Sequence, residues 1–177
     1  MVSDNKKRIT ILTCVALLIA LDIVLTRFLA INTQFLRISL GMIPVALAGV
    51  AFGAVWGGIC GAVGDFLGML LFPSGAYFPG FTLTAALTGI IYGLFLYRRN
   101  DRYKVRNTLL ASFIVCIGCN LLLDTLWLNI MYGSGFLAIL PARIVKCVLN
   151  IPIYSVLIII LWDKVLSRIP AIRELSN

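Results

Sequence analysis

The stretch KKRITILTCVALLIALDIVLTRFL, Lys6 to Leu29, decides the fold. Three cations stand before an apolar run from Ile9 to Leu29 that Asp22 and Arg27 alone interrupt with charge. Roughly 20 such residues are what a helix needs to cross a bilayer. The run is too long for the h-region of a signal peptide and no convincing cleavage site follows it. It therefore reads as a retained span whose start, behind Lys6, Lys7 and Arg8, is cytoplasmic.

The rest of the chain repeats this pattern. Of 177 residues, 61% are hydrophobic and only 12% charged, and the mean hydropathy is +1.04, so a bilayer is the solvent. Further spans are expected at about Leu40 to Ala51, Gly53 to Leu71, Phe81 to Tyr97, Thr108 to Leu128 and Pro141 to Trp162. The chain reads as one transmembrane domain, residues 1–177, all-α with six transmembrane helices. The net charge of +8 comes from 15 Lys+Arg against 7 Asp+Glu. Position argues against nucleic acid as its partner. Eleven of the 15 lie in three tufts: Lys6 to Arg8, Arg98 to Arg106, and Lys164 to Arg173. Six spans with both termini in the cytoplasm put all three tufts on one side.

The other four cations are Arg27, Arg37, Arg143 and Lys146, and they join Asp22, Asp65 and Asp124 in or beside spans. An intramembrane charge is costly and marks a functional site by default. By the threading above, all seven fall on the outer side, and the cytoplasmic halves hold nothing ionisable. That pattern describes a cup open to the outside and excludes a continuous ion wire. Asn120, Asp124 and Trp127 share a face at helical spacing, as do Arg143, Lys146, Asn150 and Tyr154. Arg143 and Lys146 are expected in the first two turns of the last span, where free N–H groups and the helix dipole favour an anion. Asp22 and Arg27, five residues apart, do not share a face.

Small residues recur at Gly53, Gly57, Gly61, Gly64 and Gly68, a spacing that predicts close helix packing. Ala16 and Ala20 form an AxxxA that can face a partner subunit. Arg27 lies seven residues after Ala20, so serving a pocket requires the first helix to bend or Arg27 to lie beyond it. The five cysteines all fall in apolar stretches and read as buried packing residues. Cys116 and Cys119 form a CxxC, but no second pair and no histidine accompany it, so neither metal nor cofactor is expected. The lack of His also removes Ser/His and Cys/His catalysis. The chain contains no P-loop motif, so uphill transport would draw its energy from a partner or a gradient.

GAYFPGFTLTAALTGIIYG (Gly75 to Gly93), NLLLDTLWL (Asn120 to Leu128) and LPARIVKCVLNIPIY (Leu140 to Tyr154), in this order and with the AxxxA, resemble the folate-specific substrate-binding subunits (S-components) of energy-coupling-factor (ECF) vitamin transporters. The resemblance covers nearly the whole chain. It implies a multi-pass protein of a prokaryotic cell membrane that binds folate outside. Such a subunit docks through its first-span alanines on a membrane coupling protein with two cytoplasmic ATPases, and topples in the lipid to release its cargo. Loops at Asn32 to Arg37 and Phe72 to Gly80 would cover the pocket. A pterin presents an amino group beside a ring N–H, which one carboxylate can accept with both oxygens. Asp65 or Asp124 suits that role, with Asn120 beside it, and Trp127, Tyr77, Phe78 or Arg27 suits stacking. Arg143 and Lys146, nearer the mouth, suit the carboxylates of a glutamate tail. Three rival readings are an S-component for thiamine or a pyrimidine precursor, a secondary transporter, and an intramembrane enzyme using Asp65 with Asp124. The second would usually show inverted repeats, and none is seen between the halves. The third lacks a GxGD-like context, since Asp65 sits in GDF.

Overall fold

The structure, a computed structural model, describes residues 4–29, 31–32, 37–73, 77–97, 103–133 and 136–164. Residues 33–36 and 74–76, at the centres of the two expected covering loops, lie outside this set. So do Arg98, Arg99, Arg102, Arg168 and Arg173, on which the charge asymmetry leans.

The helices are α1 (Asp4–Arg27), α2 (Met42–Phe52), α3 (Ala54–Leu71), α4 (Pro79–Leu96), α5 (Lys104–Ile114), α6 (Asp124–Tyr132) and α7 (Phe136–Lys164). A π-helical segment, Val115–Leu123, joins α5 to α6, making one apolar stretch, Lys104–Met131. Among the described residues, five helical stretches are thus long and apolar enough to cross a bilayer. The chain is an all-α membrane bundle. A two-residue ladder between β1 (Ile31–Asn32) and β2 (Arg37–Ile38) is the one addition among the described residues.

The expected second span differs in kind from the others. α2 has 11 residues, about 16 Å of helix against a hydrocarbon core of roughly 30 Å. Every residue from Ile43 to Phe52 is buried, so α2 is a short central helix wrapped by the longer ones. It begins inside the bundle: a Cβ on Gly41 would stand 2.6 Å from Asp22 Oδ1, more than a turn below the end of α1. It ends at Gly53, whose φ of 98° lies where a side chain is strained. That single residue turns α2 into α3.

Glycine also brings α3 and α4 into contact. Gly53 lies against Gly93, Gly57 against Gly89 and Gly61 against Ala85, so one index rises by four as the other falls by four, the register of antiparallel helices. A Cβ on Gly57 would be 2.5 Å from the Gly89 carbonyl and 2.7 Å from the Gly49 Cα. The small-residue stripe is therefore the place where α2, α3 and α4 meet. Deeper in the bundle, neutral hydroxyls satisfy each other. Tyr92 OH and Ser155 Oγ each lie 3.0 Å from Ser112 Oγ, and Tyr154 donates to the Ser39 carbonyl at 3.0 Å. These bonds tie α4, α5 and α7 to each other and to the residues just ahead of α2.

Candidate ligand-binding site

One polar cluster starts from the last residue of α1. The Arg27 side chain is 3% exposed and reaches Asp65 on α3, Nη2 to Oδ1 3.9 Å. Its Nη1 also donates to Met69 Sδ at 3.2 Å. Gly68 makes room: a Cβ there would lie 2.9 Å from Arg27 Nε. The second oxygen of Asp65 accepts from Thr82 Oγ1 at 2.8 Å, and Tyr77 OH lies 3.3 Å from the same hydroxyl. The end of α1, the last turns of α3 and the first turn of α4 thus hold one guanidinium and one carboxylate between them. Buried Asp22 is close by, its carboxylate fitted between Gly41 and Gly64.

A second cluster lies on the other side of α4. Trp127 Nε1 donates to Thr84 Oγ1 at 3.1 Å, and the indole packs on Phe78 with ring centroids 5.5 Å apart. Its ring occupies the space a Cβ on Gly80 would need. Three residues before Trp127, Asp124 faces Arg143 of α7, Oδ2 to Nη1 4.0 Å. Arg143 is buried, and the same Nη1 donates to the Asn120 carbonyl in the π segment at 2.8 Å. Its Nε is buried with no hydrogen-bond partner among the described residues. Lys146, one turn further along α7, interacts electrostatically with Asp124 and Arg143, and Asp124 with Asp65. Among the described side chains this end of the bundle therefore carries three cations, Arg27, Arg143 and Lys146, and three carboxylates, Asp22, Asp65 and Asp124. Balanced charge makes such a set tolerable in a membrane. A ligand carrying both donors and anionic groups can exchange with either sign.

The structure departs from the geometry expected of the sequence at three points. α1 stays helical through Arg27, so no bend is needed: the long side chain turns inward over Gly68 while Ala16 and Ala20 remain exposed on the outer face. α7 begins at Phe136, about 10 Å before Arg143 at 1.5 Å per residue. Arg143 and Lys146 therefore sit in the second and third turns, away from the free N–H groups, and Arg143 forms part of the buried wall instead of a mouth. The π turns break the expected α-helical face of Asn120, Asp124 and Trp127, and Asn120 meets Arg143 through its main chain. Tyr77 and Phe78 do lie beside the two clusters. Sequence reasoning does not single out Thr82, Thr84 or Met69. The spacing TLTAALT at the start of α4 is the available signal, since Thr84 and Thr88 share a face. Cys60, Cys116, Cys119 and Cys147 are buried, as packing residues should be, whereas Cys14 is only half-buried.

Residues 10–162 match the family of ECF transporter substrate-specific components. The folate transporter FolT of Clostridium novyi is 41% identical over 171 residues, covering 97% of this chain and 98% of its own. FolT of Leuconostoc mesenteroides is 32% identical over 78% of this chain and 76% of its own. A crystal structure of FolT bound with folic acid superposes with a TM-score of 0.81 at 41% identity, covering 86% of this chain and 92% of that one.

Proposed function

The chain belongs to the substrate-specific components of ECF transporters, of the FolT type, and from that premise we propose that it binds folate or a related pterin at the Arg27 end of the bundle. This end faces the outside of a bacterial cell, with both termini in the cytoplasm and α2 completing six helices. The observation that carries the reading is the Arg143 guanidinium, buried beside Asp124 with no partner for its Nε–H among the described residues. A buried donor without an acceptor is rare in a folded protein and costs about 1–3 kcal/mol. An oxygen of a bound ligand would satisfy it.

The ligand's chemistry fits the two clusters. The donor edge of a pterin takes a carboxylate, Asp124 or Asp65, and its flat ring lies along Trp127 and Phe78. The two carboxylates of the glutamate tail draw on Arg143, Lys146 and Arg27. With no intramembrane charge beyond this end, cargo crosses by movement of the whole subunit on a coupling protein driven by two ATPases. The FolT relatives, folic-acid-bound FolT among them, support the same choice of ligand.

Equilibrium titration of the purified full chain in detergent tests the ligand. Folate should bind saturably with a Kd below about 1 micromolar, about −8 kcal/mol, and thiamine should not compete. No saturation by folate, or equal binding of thiamine, would overturn the assignment.

A further inference from the structure

Thr84 is buried in the second turn of α4, and two groups meet at its hydroxyl. Trp127 Nε1 donates to it at 3.1 Å, and it stands 3.0 Å from the Gly80 carbonyl, to which it donates. A hydroxyl has a single hydrogen and two lone pairs. The hydrogen is used on Gly80, so towards the indole Thr84 can act solely as an acceptor. The Trp127 N–H is thereby used inside the protein, and the indole offers a ligand its ring and not a donor. The indole is anchored at its N–H edge by this bond and packs on Phe78 and on the bare backbone of Gly80.

We propose that Thr84 is a positioning residue that orients Trp127 for a flat heterocycle, without touching the ligand itself. The proposal rests on the folate reading, and tail-less pteroate separates the two. In titrations of the full chain, Thr84→Val keeps the shape and removes the hydroxyl. It should weaken folate and pteroate by the same factor, about ten-fold or ~1.4 kcal/mol, the scale of one net hydrogen bond. Thr84→Ser retains the hydroxyl and should bind as the unaltered chain does. Trp127→Phe removes the indole donor and leaves Thr84 in place. Adding Thr84→Val to it should weaken binding by clearly less than the ten-fold loss in the unaltered background, the mark of two residues acting through one contact. Should Thr84→Val alone give no folded protein, the comparison of Trp127→Phe with Trp127→Phe/Thr84→Ser carries the test, and the two should bind equally. Unchanged binding by Thr84→Val, a serine as weak as the valine, or a loss confined to folate would each overturn the proposal. Failure of the unaltered chain to bind folate would instead overturn the reading beneath it.

Discussion

At the scale of single residues, the two Arg–Asp contacts decide what the site can tolerate. Arg143 and Asp124 are 4.0 Å apart, a loose pair with side chains 9% and 17% exposed. In the membrane interior, removing one partner leaves the other charge without compensation, which costs about 3–5 kcal/mol in buried pairs, whereas replacing both by apolar residues is often neutral. Arg143→Leu should therefore lower thermal stability by roughly the smaller of those values and abolish folate binding. Arg143→Leu/Asp124→Leu should recover the stability and still fail to bind. Melting curves and titrations of both variants check this, and recovery of binding in the double variant would show that the pair is structural only. The six ionisable residues of the site were legible in the sequence because a charge in a lipid-facing stretch needs a reason; the side chain of the seventh candidate, Arg37, lies outside the described residues. Thr82 and Thr84 were not legible. A threonine in a membrane helix satisfies itself on its own backbone, as Thr84 does on the Gly80 carbonyl and Thr88 on the Thr84 carbonyl, so it carries no signal of cost.

Among elements, the glycines show which packing the sequence discloses. The spacing along α3 announced a close approach, and the approach is there. What it could not announce was the partner, because α2 and α4 meet it from different directions and Gly64 and Gly68 instead make room for Asp22 and Arg27. The π segment was not legible either. Its sequence, VCIGCNLLL, has no proline, and the Asn120 carbonyl that Arg143 uses belongs to a residue far away in sequence. The two situations predict opposite outcomes for the same substitution. Gly57→Ala places a methyl 2.5 Å from one main-chain carbonyl and 2.7 Å from another backbone atom, neither of which can rotate away. It should cost about 1–3 kcal/mol, as overpacking does. Gly118, in the π segment, has no other described residue's atoms within 4 Å of a Cβ beyond its own helix. Gly118→Ala should hold or raise the melting temperature, since alanine favours helix over glycine by up to about 1 kcal/mol. The four buried cysteines supply the readout, through a thiol-reactive dye that reports their exposure on heating. A melting temperature unchanged by Gly57→Ala would show that α3 and α4 are less tightly joined than these distances require.

For the whole molecule, the division of surfaces bears on mechanism. The charged side chains of the site are drawn from α1, α3, α6 and α7 into one end of the bundle, and the deeper interior is closed by neutral hydroxyl contacts around Ser112. The opposite side of α1 presents Leu12, Ala16, Leu17, Ala20, Leu21 and Val24, all exposed. Arg27 connects these two surfaces: it ends the helix that carries the stripe, while its side chain belongs to the site. Binding and delivery should for that reason be separable by substitution on a single helix. A tryptophan at Ala16 or Ala20 adds bulk where helices would approach through small residues, and both positions are exposed. Ala16→Trp and Ala20→Trp should bind folate as the unaltered chain does. In vesicles reconstituted with the coupling protein and its ATPases, both should lose most ATP-driven folate accumulation. Arg27→Ala should show the reverse order, with binding weakened before any effect of docking can be read. Full accumulation by both tryptophan variants would place the coupling surface elsewhere on the bundle. Loss of folate binding by either would mean that the stripe and the site are not independent, and that α1 transmits changes along its length to Arg27.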